Sequence, residues 1–218
     1  MIPDYLEAWK KVNIDLDAIY SGFLGAPEQC DDIHQLWKDY PNALRIVDPA
    51  MADNGKVYPT YTPELCEAMA GLASGCDVLT PNLSEAAIIL GETWHGADLD
   101  EDEVHRICDK LLERGAKNVI VKGIQRGDGV IRNYVEGANC EFSCTETKLL
   151  PYMLHGTGDL YASVLLGAIM AGRDLLQSAQ FAADFVVKAM ELTGKQPDFK
   201  NRGVSFELIL GQIAALLQ

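Results

Sequence analysis

The chain has 218 residues, 48% of them hydrophobic, and a formal net charge of −14 at pH 7. This length and apolar content predict a single globular domain over residues 1–218. The acidic balance argues against nucleic-acid and anionic-membrane partners, which require a basic surface, and no apolar run has the length of a membrane helix.

Strand-like and helix-like segments alternate along the chain. Strands are predicted at residues 17–22, 44–49, 77–82 and 118–123, followed by a more exposed hairpin at 129–135 and 140–147. Helices are predicted at residues 3–12, 27–39, 62–72, 82–90, 100–114, 156–171, 175–192 and 204–217. This alternation predicts an α/β fold with a mainly parallel sheet covered by helices on both faces.

The six cysteines lack the spacing of a zinc site, so we interpret them as reduced thiols. The first residues have neither the basic nor the apolar region of a secretory signal. Both observations favour a cytoplasmic location.

Polar residues follow the predicted strands. They are Asp48, Thr80, Asn82 and Lys122. Ligands of parallel sheets bind beyond the carboxyl ends of the strands, so we expect these side chains to face a common site. Lys122 could meet nucleotide phosphates there, although a solvated lysine is an equal alternative.

Residues 48–56 contain two acids, Asp48 and Asp53, in a loop with a glycine. Carboxylates in such a loop suit Mg²⁺, which prefers oxygen ligands and keeps several waters. An ordinary loop is the alternative, because Asp-Pro and Asn-Gly are frequent turn formers.

Asn82 and Glu85 stand three residues apart at a predicted helix start. This spacing fits a capping box, in which each side chain accepts a hydrogen bond from the other residue's backbone. A Mg²⁺–water network would use the same geometry, so the motif leaves both interpretations open.

A Gly-x-Gly turn precedes the long apolar helix at residues 156–171. Gly156 and Gly158 allow a tight turn, and the helix start points unpaired N–H groups and its positive dipole end at the same place. Such a helix start is a phosphate site. Asp159 in its first turn suits a base that deprotonates a hydroxyl, or simply a favourable charge at the dipole. The chain has no P-loop and no Gly-x-Gly-x-x-Gly after a strand.

Together these segments resemble the pyridoxal (vitamin B6) kinases of the ribokinase-like superfamily. Residues 20–25 resemble the family's strand-end turn beside pyridoxal, and residues 48–55 resemble its Asp-Pro-Val-Met-Gly-Asp-Asn-Gly. Residues 80–85 match its Thr-Pro-Asn-x-x-Glu, and residues 156–159 match its Gly-Thr-Gly-Asp. The similarity implies a three-layer α/β/α ribokinase-like fold and ATP-dependent phosphorylation of the 5′-hydroxyl of pyridoxal, pyridoxine or pyridoxamine.

The resemblance also implies roles for individual residues. Asp159 would be the base, and backbone N–H groups of Gly156, Thr157 and Gly158 would form the anion hole. The residues near Mg²⁺ would be Asp48, Asp53 and Glu85. The residues near the ATP phosphates would be Thr80, Asn82 and Lys122. The vitamer would lie beside Gly22 and Phe23, and a monovalent cation such as K⁺ could take part.

The sequence departs from the family pattern in two ways. Ala50 and Ala52 replace the usual Val and Gly, and Lys122 replaces a small hydroxyl residue. Family members also begin with a further strand, turn and helix, and with strands that help form a lid, none of which precedes Met1. We therefore expect an N-terminally truncated fold whose exposed sheet edge favours a homodimer.

Two other functions remain open from the sequence. A hydroxymethylpyrimidine or other small-alcohol kinase would share the Gly-Thr-Gly-Asp motif. A non-catalytic nucleotide- or vitamer-binding protein would account for the missing acceptor-binding segment.

Overall fold

A computed structural model describes residues 2–201 and 203–217 of the chain. The α-helices are α1 Ile2–Lys11, α2 Pro27–Asp39, α3 Pro63–Leu72, α4 Leu83–Leu90, α5 Glu101–Glu113, α6 Thr157–Met170 and α7 Leu175–Thr193. The strands are β1 Ala18–Ser21, β2 Leu44–Val47, β3 Ala52–Asp53, β4 Lys56–Val57, β5 Val78–Leu79, β6 Asn118–Gln125, β7 Val130–Gly137 and β8 Cys140–Lys148. Two 3₁₀ helices follow α7, at Phe199–Asn201 and Phe206–Leu217.

The central sheet has six strands in the order β1-β2-β5-β6-β7-β8. The first four strands are parallel, whereas β7 and β8 pair antiparallel as the predicted hairpin. The mainly parallel sheet is therefore confirmed. β3 and β4 form a separate two-stranded ribbon that the sequence did not predict, because each strand has only two residues.

Two hydrophobic clusters cover the two faces of this sheet. Alternate residues of a strand point to opposite faces, so Val47 and Val119 join the cluster with α2, α3, α4 and α5. Ile46 and Ile120 join the other cluster, which contains α6 and α7. This arrangement gives three layers, with helices on both sides of the sheet, as predicted.

Capping side chains fix several helix starts. Thr62 accepts a hydrogen bond from the Leu65 N–H at the start of α3, and Asp174 does so from Gln177 at α7. Gly91, with φ 69°, ends α4 in the left-handed conformation that glycine tolerates.

The last predicted helix, residues 204–217, differs from the structure in type. Residues Phe206–Leu217 form a 3₁₀ helix. Of its described side chains only Ile209 is buried, so tertiary packing supports this segment weakly, and Gly211 disfavours a regular α-helix. Among the helices described, none combines the length and apolar character required to cross a membrane.

Candidate active site

An ion pair joins Asp48, the residue after β2, to Lys122, which lies within β6 where its pairing with β7 is irregular. The ammonium of Lys122 donates to Asp48 Oδ1 over 2.6 Å, and the Thr80 hydroxyl donates to the same oxygen over 3.2 Å. Asp48 and Thr80 are buried, and only 14% of the Lys122 side chain is exposed. Residues separated by up to 74 positions thus meet at one end of the parallel strands, although β6 continues past the predicted end at residue 123 to Gln125.

Backbone hydrogen bonds extend the parallel sheet to these polar residues. The Asp48 N–H donates to the Ser21 carbonyl over 2.9 Å, and the Thr80 N–H donates to that of Val47 over 2.9 Å. The Lys122 N–H donates to the Pro81 carbonyl over 2.8 Å. The side chains are therefore held by the sheet itself, which limits their movement.

Carboxylates keep Lys122 charged despite its burial. Desolvation lowers its pKa, but the negative charges of Asp48, Glu85 and Asp159 outweigh it, so the pKa lies above its ordinary value. The site therefore holds a permanent cation among acidic groups.

Asn82 and Glu85 form the capping box at the start of α4. The Glu85 N–H donates to Asn82 Oδ1 over 2.9 Å, and the Asn82 N–H donates to Glu85 Oε2 over 2.8 Å. The Asn82 amide also donates to the Ala52 carbonyl over 2.8 Å, which fastens the β3–β4 ribbon to this helix start. The structural interpretation of the motif is thus confirmed, and the Glu85 carboxylate also accepts a hydrogen bond from the Met51 backbone.

Burial raises the pKa of Glu85 to about 8. The nearby Lys122 ammonium lowers this pKa and the Asp48 carboxylate raises it, but desolvation is the largest effect. A cation brought close to Glu85 would favour its ionised form.

Asp53, unlike the buried Asp48 and Glu85, is exposed, and it ends the short strand β3. Within the described chain, Asp48, Asp53 and Glu85 are not a set whose ligand oxygens all lie within 4.8 Å of one another. Oxygen ligands suit Mg²⁺, but these three would hold it through water rather than all directly.

Tyr58 lies near enough to several acidic groups to feel their charge, and the sequence analysis missed it. Its pKa is raised first by burial and then by four carboxylates, those of Glu85, Asp53, Asp48 and Asp159. A tyrosine after a loop has no sequence signal that separates it from an ordinary packing residue.

The Gly-x-Gly turn lies directly against the Asp48–Lys122 pair. Gly156 adopts φ 83°, and α6 starts at the following residue. A Cβ atom at Gly158 would lie 3.7 Å from Asp48 Oδ2 and 3.9 Å from Lys122 Nζ. The start of α6 and its N–H groups therefore face the charged strand ends, an arrangement that attracts anions.

Asp159 projects from the first turn of α6 and is exposed. A Cβ atom at Gly22 would lie 3.9 Å from Asp159 Oδ1, so the turn after β1 approaches this carboxylate closely. Phe23 follows with 52% of its surface exposed and packs edge-to-face on Tyr61, with ring centroids 5.4 Å apart. The structure thus brings the predicted base and the two predicted acceptor residues to one end of the sheet.

Two tyrosines at this site were also missed from the sequence. Neither the Tyr20 nor the Tyr161 hydroxyl has a hydrogen-bond partner among the described residues. Burial raises the pKa of both well above the ordinary value, and Asp48 adds to the effect in each. Tyr20 begins the 20–25 segment that resembles the turn beside pyridoxal, but the sequence analysis assigned it no role of its own. Tyr161 lies in an apolar helix whose pattern does not separate it from a core residue.

Comparison with known proteins identifies the family of the chain. The family model described as phosphomethylpyrimidine kinase matches residues 6–204. Pyridoxal kinase PdxY of Aliivibrio fischeri is 30% identical over 215 residues, covering 90% of this chain and 68% of that protein. Hydroxymethylpyrimidine/phosphomethylpyrimidine kinase of Bacillus subtilis is 26% identical, covering 81% of this chain, which spans 64% of that relative's length.

Solved structures agree with the sequence comparison. A candidate phosphomethylpyrimidine kinase of Bacteroides thetaiotaomicron, crystallised with pyridoxal, superposes with a TM-score of 0.90 at 28% identity. That match covers 97% of this chain and 76% of the other. Pyridoxal kinase of Lactobacillus plantarum, at 24% identity and a TM-score of 0.88, shares the fold over 99% of this chain and 77% of its own. The chain therefore belongs to the phosphomethylpyrimidine and pyridoxal kinase family of phosphotransferases, with the ribokinase-like fold.

Proposed function

We propose that this chain phosphorylates the 5′-hydroxyl of a B6 vitamer with ATP as the donor. The observation that carries the proposal is the position of Gly158, which sets the start of α6 against the Asp48–Lys122 pair while Asp159 faces Gly22. The backbone N–H groups that would bind a phosphoryl group thereby lie beside the Asp159 carboxylate, which would accept a hydroxyl proton.

In the proposed reaction, Asp159 and the start of α6 have different roles. Asp159 accepts the proton of the attacking hydroxyl, and backbone N–H groups of Gly156, Thr157 and Gly158 donate to oxygens of the transferring phosphoryl group. Charge stabilisation of this kind, with correct positioning, accounts for most of the catalysis of phosphoryl transfer. A carboxylate held at the helix start can therefore act without a specially tuned basicity.

The polar residues around the Asp48–Lys122 pair bind the nucleotide in this proposal. Thr80, Asn82 and Lys122 contact the ATP phosphates, with Lys122 neutralising charge from its place beside Asp48. Mg²⁺, when bound, neutralises further phosphate charge. The residues that would hold it, at least partly through water, are Asp48, Asp53 and Glu85. A monovalent cation such as K⁺ is proposed as an additional requirement.

Gly22 and Phe23 form the acceptor side. The absence of a side chain at Gly22 keeps Asp159 accessible, and the exposed ring of Phe23 offers an apolar face for a heteroaromatic ring. The B6 assignment is supported by the 30% identity to a pyridoxal kinase over 90% of the chain and by the relative crystallised with pyridoxal.

Hydroxymethylpyrimidine is the second candidate acceptor. It is favoured by the description of the family model and by the Bacillus subtilis relative. Both acceptors present a hydroxymethyl group on a heteroaromatic ring, so the Asp159 chemistry is common to them.

Competition between acceptors tests the assignment. With ATP and Mg²⁺ held constant, phosphate transfer to pyridoxal, pyridoxine, pyridoxamine and hydroxymethylpyrimidine is measured singly and in pairs. We expect a B6 vitamer to have the highest kcat/KM. A higher value for hydroxymethylpyrimidine transfers the assignment to that acceptor, and ATP binding in calorimetry without any transfer favours the non-catalytic alternative.

A homodimer is proposed from the position of β1. This strand lies at the edge of the sheet and pairs only with β2 in the part of the chain described. An open strand edge favours association. Light scattering coupled to size exclusion should give twice the mass of the chain, and a monomeric mass at micromolar concentration contradicts the proposal.

A further inference from the structure

A second group of metal-binding side chains lies on another part of the sheet. His105 and Asp109 of α5 and Glu136 of β7 each offer one ligand atom, and these atoms all lie within 4.8 Å of one another. We propose that these three residues bind a divalent transition-metal ion, for which Zn²⁺ fits best.

The secondary structure directs these three side chains to one place. His105 and Asp109 are four residues apart on a helix and therefore share a face. Glu136 lies on the same side of β7 as Tyr134, two residues before it, and falls within the pairing irregularity between Val135 and Gly137. An irregularity of this kind re-aims a side chain, and here it accompanies a carboxylate turned towards α5.

The distances suit a small cation. His105 Nε2 and Glu136 Oε1 are 3.3 Å apart. Ligand atoms of a tetrahedral zinc site with bonds near 2.1 Å are about 3.4 Å apart. The Phe142 ring stacks on the imidazole, with centroids 4.1 Å apart, and so holds the ring of His105 in position.

The charges also favour a cation. Glu136 is 15% exposed, its Oε2 is buried, and that oxygen has no hydrogen-bond partner among the described residues. Within the same part of the chain, no lysine or arginine forms an ion pair with Glu136 or Asp109. A metal ion would neutralise the Glu136 carboxylate.

The donor set distinguishes this site from the proposed Mg²⁺ site. One imidazole and two carboxylates are ligands for zinc and related ions, whereas Mg²⁺ prefers oxygen ligands alone. Three protein ligands leave a fourth position for water. Glu136 pairs with Val119, three residues before Lys122 on β6, so an ion here would link α5 to β7 away from the Asp48–Lys122 pair.

Nuclear magnetic resonance tests the site directly, because the chain has only four histidines. The ¹⁵N-labelled, reduced chain is titrated with Zn²⁺ alone, and the imidazole signals are followed. We expect His105 to shift to metal-bound values within the first equivalent, while exposed His95 stays unchanged. Calorimetry should show affinity lowered about tenfold or more in His105→Gln and Glu136→Gln, with His95→Gln unchanged.

Each other result overturns the proposal. Zn²⁺ bound by thiols leaves the His105 signals in place. Equal shifts of all histidines indicate non-specific association, and equal affinity in Glu136→Gln and the unaltered chain excludes that carboxylate as a ligand. Glu136→Gln preserves side-chain size, and its amide spectrum confirms folding before the titration.

Discussion

Lys122 of β6 and Asp48, the residue after β2, form a buried ion pair of 2.6 Å although the two strands are not neighbours in the sheet. The hydroxyl of Thr80, which follows the intervening strand β5, donates to the same carboxylate oxygen. The pair holds a cation and an anion where nucleotide phosphates are proposed to bind. It therefore contributes to both the folding and the chemistry of the sheet edge.

Removing only the cation should destabilise the fold. Lys122→Met leaves Asp48 buried without its ionic partner, which we expect to lower the free energy of unfolding by about 3–5 kcal/mol. Urea denaturation measures the change. Lys117→Met is the matched control, because its 2.6 Å pair with Asp77 has a lysine side chain that is 65% exposed, and it should cost about 1 kcal/mol or less.

The double variant Lys122→Met with Asp48→Asn should recover much of that loss, since no unpaired charge then remains buried. A single Lys122→Met variant as stable as Lys117→Met would show that Asp48 is not held by this ion pair.

Glu85 should make stability depend on pH. Its pKa in the folded protein, about 8, lies above the ordinary value of 4.5, so the folded state binds the proton more tightly than the unfolded chain. The free energy of unfolding is then highest below about pH 4.5 and falls as the pH rises towards 8. Denaturation with a chelator present should show Glu85→Gln gaining on the order of 2–4 kcal/mol relative to wild type between pH 5 and 9.

Glu103→Gln provides the control for this pH series. Glu103 occupies the same capping-box position on α5 but is only half-buried, so this variant removes the same capping contact without removing a buried carboxyl group. Parallel curves for Glu85→Gln and wild type would contradict the role of desolvation at Glu85.

Gly158→Ala should separate folding from activity. The added Cβ would lie 3.7 Å from Asp48 Oδ2, an ordinary contact, so we expect an unchanged or slightly higher melting temperature. The added methyl group would also enter the space proposed for the phosphoryl group. Displacing the reacting atoms by about 1 Å costs about 10²-fold in kcat.

Gly167→Ala in the same helix is the matched variant, because its Cβ would meet nothing within 4 Å. It should gain about 0.5–1 kcal/mol of stability and keep full activity. Equal activity of the two variants would place the phosphoryl group elsewhere.

Local sequence patterns were enough for most of the fold. Apolar alternation located the strands, and residues such as Thr62 and Asn82 marked helix starts because capping acts within three residues. The sequence predicted that the polar residues after the strands would share one site. It did not predict the Asp48–Lys122 ion pair, because that pair depends on the order of the strands in the sheet.

The remaining features depend on tertiary packing. The β3–β4 ribbon is anchored by the Asn82 side chain 30 positions away from Ala52, which no local pattern reveals. Tyr20, Tyr58 and Tyr161 gain their significance only from the carboxylates that the fold places beside them.

The most direct test of the account is phosphate transfer by Asp159→Asn. Its kcat with ATP, Mg²⁺ and the best B6 vitamer is compared with that of the unaltered chain, and ATP binding is measured by calorimetry on both. We expect kcat to fall by about 10²–10⁴-fold while ATP binding persists, because Asp159 removes the hydroxyl proton and does not hold the nucleotide. Equal turnover in both chains would contradict the assignment of Asp159 as the base.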